Sequence, residues 1–167
     1  AYTHIVYFKE QNLTDRWHVY IEGDGLPWLA KRFVASDPTP RQPLMLKLMS
    51  QDPNSAIYLG RPCYLGMNTD TNCHPWLWTH GRYSETVVIS MITALTRLIR
   101  MKKIKQLTLI GHSGGGTLAL LMAERLEEVD TVITLAGNLD ISAWTKQHGY
   151  TSLNGSLNPA ERSPLPE

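Results

Sequence analysis

The sequence predicts an α/β domain in which a mostly parallel sheet carries helices on both faces. Three observations lead there. Apolar runs of strand length alternate with longer stretches of helical periodicity. The runs are close to continuously apolar, as strands covered on both faces are. A glycine-rich turn, Gly111-His112-Ser113-Gly114-Gly115-Gly116, joins one such run to an apolar helix candidate.

The elements follow in order. His4-Ile5-Val6-Tyr7-Phe8 is expected as the first strand and Trp17-His18-Val19-Tyr20-Ile21 as the second. Glu22-Gly23-Asp24-Gly25 ends it with a turn signal. Pro43 to Ser50 fits a short helix, closed by Asp52-Pro53-Asn54. Ala56-Ile57-Tyr58-Leu59 is the third strand. Ser84 is a good N-cap, and Glu85 suits the positive end of a helix dipole. Val88, Met91, Ile92, Leu95 and Ile99 then recur at helical spacing, which predicts a helix to about Met101. Gln106 to Ile110 is the next strand. Thr117 to Leu126 is apolar on most faces and is expected as a buried helix. Thr131 to Ala136 is the last clear strand. Beyond Asp140, Asn154-Gly155, Asn158-Pro159, Pro164 and Pro166 mark residues 141–167 as an irregular cap or tail.

A length of 167 residues, 43% of them apolar, suits a single domain over residues 1–167. The formal charge of +1 points away from a nucleic-acid partner. The cluster Arg97, Arg100, Lys102, Lys103 and Lys105 lacks interleaved aromatics and reads as the solvated end of a helix. No run approaches the roughly 18–20 apolar residues of a transmembrane span. The start, Ala1-Tyr2-Thr3, has no initiator Met. It is expected to be a processed or trimmed terminus, which leaves open a removed signal peptide or lipid anchor. Cys63 and Cys73 flank a short polar loop. A disulfide there is the favoured expectation and implies an oxidising, extracytoplasmic compartment. A metal site with His74 or His80 and a pair of reduced thiols are the alternatives; the spacing fits no common zinc pattern.

The glycine turn has three chemical readings. Gly111 and Gly116 have the spacing of a phosphate-binding loop, but Thr117 stands where its lysine belongs. A dinucleotide fingerprint fails because Ser113 occupies its second glycine position, and Asp130 precedes the expected strand rather than ending it. The remaining reading is a serine nucleophile. Strand, Gly-x-Ser-x-Gly and helix come in the required order, with helix N–H groups and the positive dipole end beside the serine. The Gly114 N–H is then one oxyanion donor. The loop at residues 22–25 supplies the other, through the N–H of Asp24 or Gly25. Trp28, Trp76, Trp78 and Trp144 fall in expected loops, where they either line an acyl or aryl pocket or pack a cap.

Gly111-His112-Ser113-Gly114-Gly115 resembles the nucleophile elbow of the α/β-hydrolase superfamily. With Ile21-Glu22-Gly23-Asp24-Gly25 and Ala136-Gly137-Asn138-Leu139-Asp140, it is similar to a group of bacterial serine-hydrolase-like proteins, many of them exported or lipid-anchored. The resemblance covers about residues 2–160. It implies a three-layer fold with a mixed sheet, no metal or organic cofactor, and small acyl ester substrates. It maps Ser113 to the nucleophile of a carboxylesterase or lipase, Gly114 to one oxyanion donor and the Asp24 region to the other.

One departure concerns the general base that a serine nucleophile needs. The superfamily orders its residues serine, acid, histidine. After Ser113 the only histidine is His148, a candidate base, and Asp140 is a candidate acid that also reads as a capping residue. Too little chain separates them for the usual arrangement. The final strands are therefore expected to be missing, with Leu165-Pro166-Glu167 starting the next one and the acid and base lying beyond Glu167 or on a separate fragment. A non-catalytic binding or scaffold domain on the same fold is the competing expectation.

Overall fold

A computed structural model of the chain describes residues 1–11 and 15–162. In chain order its strands are β1 (Val6–Lys9), β2 (Arg16–Ile21), β3 (Trp28–Leu29), β4 (Phe33–Val34), β5 (Ala56–Leu59), β6 (Gln106–His112) and β7 (Val129–Leu135). Its α-helices are α1 (Leu44–Gln51), α2 (Glu85–Lys102), α3 (Gly114–Ala123) and α4 (Ile141–His148). Five strands form one sheet in the order β1-β5-β2-β6-β7. β5, β2, β6 and β7 run parallel, and β1 closes one edge antiparallel to β5.

Side chains alternate across the sheet and need cover on both faces. Trp17, Val19, Ile21, Leu107 and Leu109 pack on one face with Val88, Met91 and Leu95 of α2 and Leu118 and Leu121 of α3. Tyr20, Ala56, Tyr58 and Ile110 face the other way, against Met45 and Met49 of α1. The sandwich expected from the apolar runs is thus present, with α1 on one side and α2 and α3 on the other. Each fully buried Leu or Ile stabilises it by about 1.5–3 kcal/mol. On β7, Ile133 and Leu135 share the α1 side with Ile110 but stay 43% and 37% exposed, because α1 packs over β5, β2 and β6.

The local signals are visible in the helices. The Ser84 side chain accepts a hydrogen bond from the Val87 N–H at the start of α2. At its other end Lys102 pairs with Glu10 and lies over the Phe8 ring, and nearby Lys105 pairs with Asp15. Two expectations change. α3 starts at Gly114, three residues before Thr117, because the Gly116 N–H closes a turn on the Ser113 carbonyl. β7 opens at Val129, so Asp130 lies within it and pairs with Arg16 of β2.

The segment after Asp140 is not irregular throughout. Its first eight residues form α4, capped by Asp140 in front and by Gly149 in the left-handed conformation behind. A 3₁₀ turn follows at Pro159–Glu161. Pro164, Pro166 and the expected strand start at Leu165-Pro166-Glu167 lie outside the described residues. Cys63 and Cys73 form a disulfide, so both thiols that the metal alternative needs are engaged. Among the described residues no helix is long and apolar enough to cross a membrane.

Candidate functional site

β6 delivers the chain to Ser113, and α3 leaves from it. Ser113 has φ 51° and ψ −120°, a conformation that non-glycine residues rarely adopt. Such a residue costs on the order of 1–3 kcal/mol and persists only where its surroundings fix it. Here the Ser113 N–H donates to the Leu135 carbonyl at 2.8 Å, and its own carbonyl accepts from Gly116 at 2.9 Å and Asn138 at 3.3 Å. The turn is tight enough that a Cβ on Gly111 would lie 2.2 Å from the Gly115 carbonyl oxygen, and one on Gly115 would lie 2.2 Å from the Ile21 carbonyl oxygen, so neither position admits a side chain.

β2 lies beside β6, so the loop after Ile21 reaches the same sheet end. A Cβ on Gly23 would sit 3.4 Å from the Ser113 Cβ, in direct contact with the turn. One on Gly114 would meet Asp24 Oδ1 at 2.0 Å and Tyr83 Oη at 2.4 Å, so no side chain fits there. The structure thus places Ser113, Gly114, Asp24 and Gly25 at one end of the sheet. Gly114 is the first residue of α3, where an N–H has no acceptor within the helix.

The Asp24 side chain has its own task. Its carboxylate accepts from Arg61 Nη1 at 2.7 Å, Arg82 Nη1 at 2.9 Å and the Tyr83 hydroxyl at 2.6 Å. The Tyr64 hydroxyl donates to its backbone carbonyl at 3.0 Å. Burial alone would raise the Asp24 pKa, but the two guanidinium groups and the Tyr83 hydroxyl outweigh it and hold the carboxyl at about 2. Arg61 lies over the Tyr64 and Tyr83 rings at 5.0 and 5.7 Å. Its Nε has no hydrogen-bond partner among the described residues, and the ring faces take up part of that charge. The loop is therefore tied at both side chain and backbone. Before it, the buried Glu22 accepts from the Met45 N–H at 2.9 Å and lies 3.9 Å from His112 Nδ1. Burial pushes the Glu22 carboxyl up.

Ser113 opens into a cleft of about 650 Å³. His112 and residues 22–25 share its floor, and Trp28, Leu44, Trp144, Tyr150 and Leu153 supply apolar walls. Of the four tryptophans assigned to loops, Trp28 lies in β3 and Trp144 in α4, and both line the cleft. Trp76 and Trp78 lie in a 3₁₀ turn; Trp78 is buried and donates to the Ala35 carbonyl. Their positions correct the loop assignment, because short strands and single helical turns leave no periodic trace.

Asp140 and His148 are occupied locally. The Asp140 carboxylate caps α4, accepting from the Ala143 N–H at 3.0 Å and from Asn158 Nδ2 at 3.2 Å. These hydrogen bonds, the Ala143 one foremost, lower its pKa. The His148 ring stacks on Tyr150 at 5.5 Å and tilts against Trp144 at 5.6 Å. The two residues are not hydrogen-bonded to one another or to Ser113 among the described contacts, and neither lines the cleft. Among the described residues no group of three or more His, Cys, Asp or Glu is placed to hold a metal.

Arg61, Tyr64, Arg82 and Tyr83 escaped the sequence reading. One signal was available: an aspartate in a glycine loop at a strand end needs counter-charges if it is buried. Arg61 lies two residues past the end of β5, the strand next to β2.

No family model and no curated protein matches the sequence. Solved structures do match in shape. A lipase-esterase related protein from Clostridium acetobutylicum aligns at 17% identity and a TM-score of 0.52, over 90% of this chain and 56% of that one. Proline iminopeptidase from Mycobacterium smegmatis aligns at 12% identity and 0.55, over 87% and 44%. An alpha/beta fold family hydrolase from Bacillus anthracis aligns at 15% identity and 0.50, over 84% and 42%. The chain thus spans about half the length of the structures it matches. The mostly parallel sheet with helices on both faces is consistent with that likeness: this chain is built on the α/β-hydrolase fold.

Proposed function

We propose that the protein is a serine hydrolase of carboxylic esters, with Ser113 as nucleophile. The observation that carries this reading is the Ser113 backbone, held at φ 51° at the foot of a cleft with a tied glycine loop against it. Chains that hold a serine this way do so to present its hydroxyl to a carbonyl carbon. Ser113 Oγ attacks that carbon, and the N–H groups of Gly114 and of Asp24 or Gly25 hold the oxyanion. A histidine oriented by an acid takes the serine proton and returns it to the leaving alcohol; water then releases the acyl group. Asp140 and His148 are engaged in local structure, so neither is assigned as the acid or the base. The apolar cleft walls suit an acyl or aryl ester of small-molecule size. The Cys63–Cys73 bond supports an oxidising, extracytoplasmic setting.

A fluorophosphonate probe on the intact protein tests the nucleophile. Wild type is expected to label and Ser113→Ala to be blank. An unlabelled wild type favours the binding or scaffold domain, and equal labelling of both moves the nucleophile elsewhere.

A further inference from the structure

The hairpin β3-β4 stands at the cleft mouth, and beyond Trp28, which lines the cleft, it has no place in the hydrolase reading. Its base is fixed: Ala35 donates to the Pro27 carbonyl at 3.0 Å, Leu26 donates to the Pro38 carbonyl at 2.9 Å, and Trp78 Nε1 donates to the Ala35 carbonyl at 3.0 Å. Its tip is bare. Leu29 and Phe33 pair across the two strands and are 45% and 62% exposed, and Val34 is 41% exposed. The turn between Leu29 and Phe33 is Ala30-Lys31-Arg32, whose first two residues have φ of 49° and 56°, positions where hairpins favour Asn or Gly. Lys31 and Arg32 are both exposed, and the Arg32 guanidinium lies 5.6 Å over the Phe33 ring. Leu26 and Leu44, also exposed, continue the apolar surface along the cleft rim, and Lys31 and Trp28 line the cleft itself.

We propose that this hairpin docks on an anionic lipid surface, with Leu29 and Phe33 entering the acyl boundary and Lys31 and Arg32 on the phosphates. The charge pattern selects this occupant. Large apolar side chains with cations directly beside them match the layering of a bilayer interface, where the apolar group sinks and the charged head stays with the headgroups. The core of a protein–protein contact would exclude lysine, and here Lys31 stands at the centre of the tip. Docking in this way sets the mouth of the cleft against the lipid.

The test is cosedimentation of the intact protein with two kinds of vesicle, pure phosphatidylcholine and phosphatidylcholine with roughly a quarter phosphatidylglycerol. Wild type is expected to partition onto the anionic vesicles on the order of tenfold more strongly, and added salt should reduce the difference. The double variant Leu29→Ser/Phe33→Ser is expected to bind about tenfold or more weakly to both. Arg32→Gln, an exposed single change that keeps the fold, is expected to lose several-fold binding to the anionic vesicles alone. Ser113→Ala should bind as wild type, so the result stands apart from the hydrolase reading. Equal binding by wild type and the double variant overturns the proposal. So does a wild-type dimer in sedimentation velocity that the double variant abolishes, because a second copy would then cover the hairpin.

Discussion

The loop at residues 22–25 and the segment from Asp140 to Tyr150 both border the cleft, and they are held in different ways. The loop is fixed by residues far along the chain: Arg61, Tyr64, Arg82 and Tyr83 converge on Asp24. The later segment holds itself. Asp140 caps its own helix, and the rings of Trp144, His148 and Tyr150 pack against one another. The first arrangement is rigid and buried, as donors aimed at a developing charge need to be. The second rests on its own helix cap, on its aromatic contacts and on Asn158, and most of its residues are exposed. In the proposed reading, the nucleophile and oxyanion half of the site is thus held by the first arrangement, and Asp140 and His148 do not supply the acid–base half.

The largest expected effect comes from cutting the ties of the loop. Asp24→Ala leaves two buried guanidinium groups without their shared partner and should cost about 3–5 kcal/mol in denaturant unfolding. A loss below about 1 kcal/mol would mean that the cluster does not hold the loop. The same carboxylate sets an acid limit. Its folded pKa, near 2, lies below the value of about 3.9 in an unfolded chain. A depressed carboxyl contributes stability above its unfolded pKa, and that stability is lost as pH falls through the folded one. Wild type should thus weaken between about pH 4 and 2, and Asp24→Ala should show less of that acid dependence.

A smaller effect is expected at Gly114. Its Cβ has no room beside Asp24 and Tyr83, so Gly114→Ala should cost about 1–3 kcal/mol and slow fluorophosphonate labelling of Ser113. Unchanged labelling at equal stability would show that the Asp24 loop can shift without consequence for the serine.

The smallest effects belong to the self-contained segment. Asp140→Ala should lower the thermal midpoint by only a few degrees, as the loss of a helix cap does. His148→Ala should change stability by well under 1 kcal/mol. Neither should alter ester turnover by more than a few-fold. A fall of about 10⁴-fold in kcat for either one, with the fold intact, would place it in the catalytic set and erase the contrast.

Much of this architecture is legible in local sequence. β2, β5, β6 and α2 announce themselves by apolar runs and by Ser84, because strand burial and helix capping act within a few residues. The elbow is legible because strand, Gly-x-Ser-x-Gly and helix follow one another in sequence, although only Gly111 answers to contacts a few positions away and Gly114 and Gly115 answer to the end of β2 and the loop after it. The hairpin β3-β4 is not: its strands are two residues long and its turn holds alanine and lysine instead of glycine. α4 was readable in principle, since Asp140 and Gly149 frame it as clearly as Ser84 frames α2, but its exposed residues carry little apolar periodicity. The Asp24 cluster lay furthest out of reach. Its members join across 37 to 59 positions, and only the folded sheet places those loop ends together.

The convergence of Arg61 and Arg82 on one carboxylate also restricts how this sequence can drift. Changing any one of the three strands a buried charge, while replacing all of them together by well-packed apolar residues can be close to neutral. Their effects are strongly non-additive, so single-step intermediates are handicapped. Descendants of this chain should keep Asp24, Arg61 and Arg82 as a block or lose them as a block.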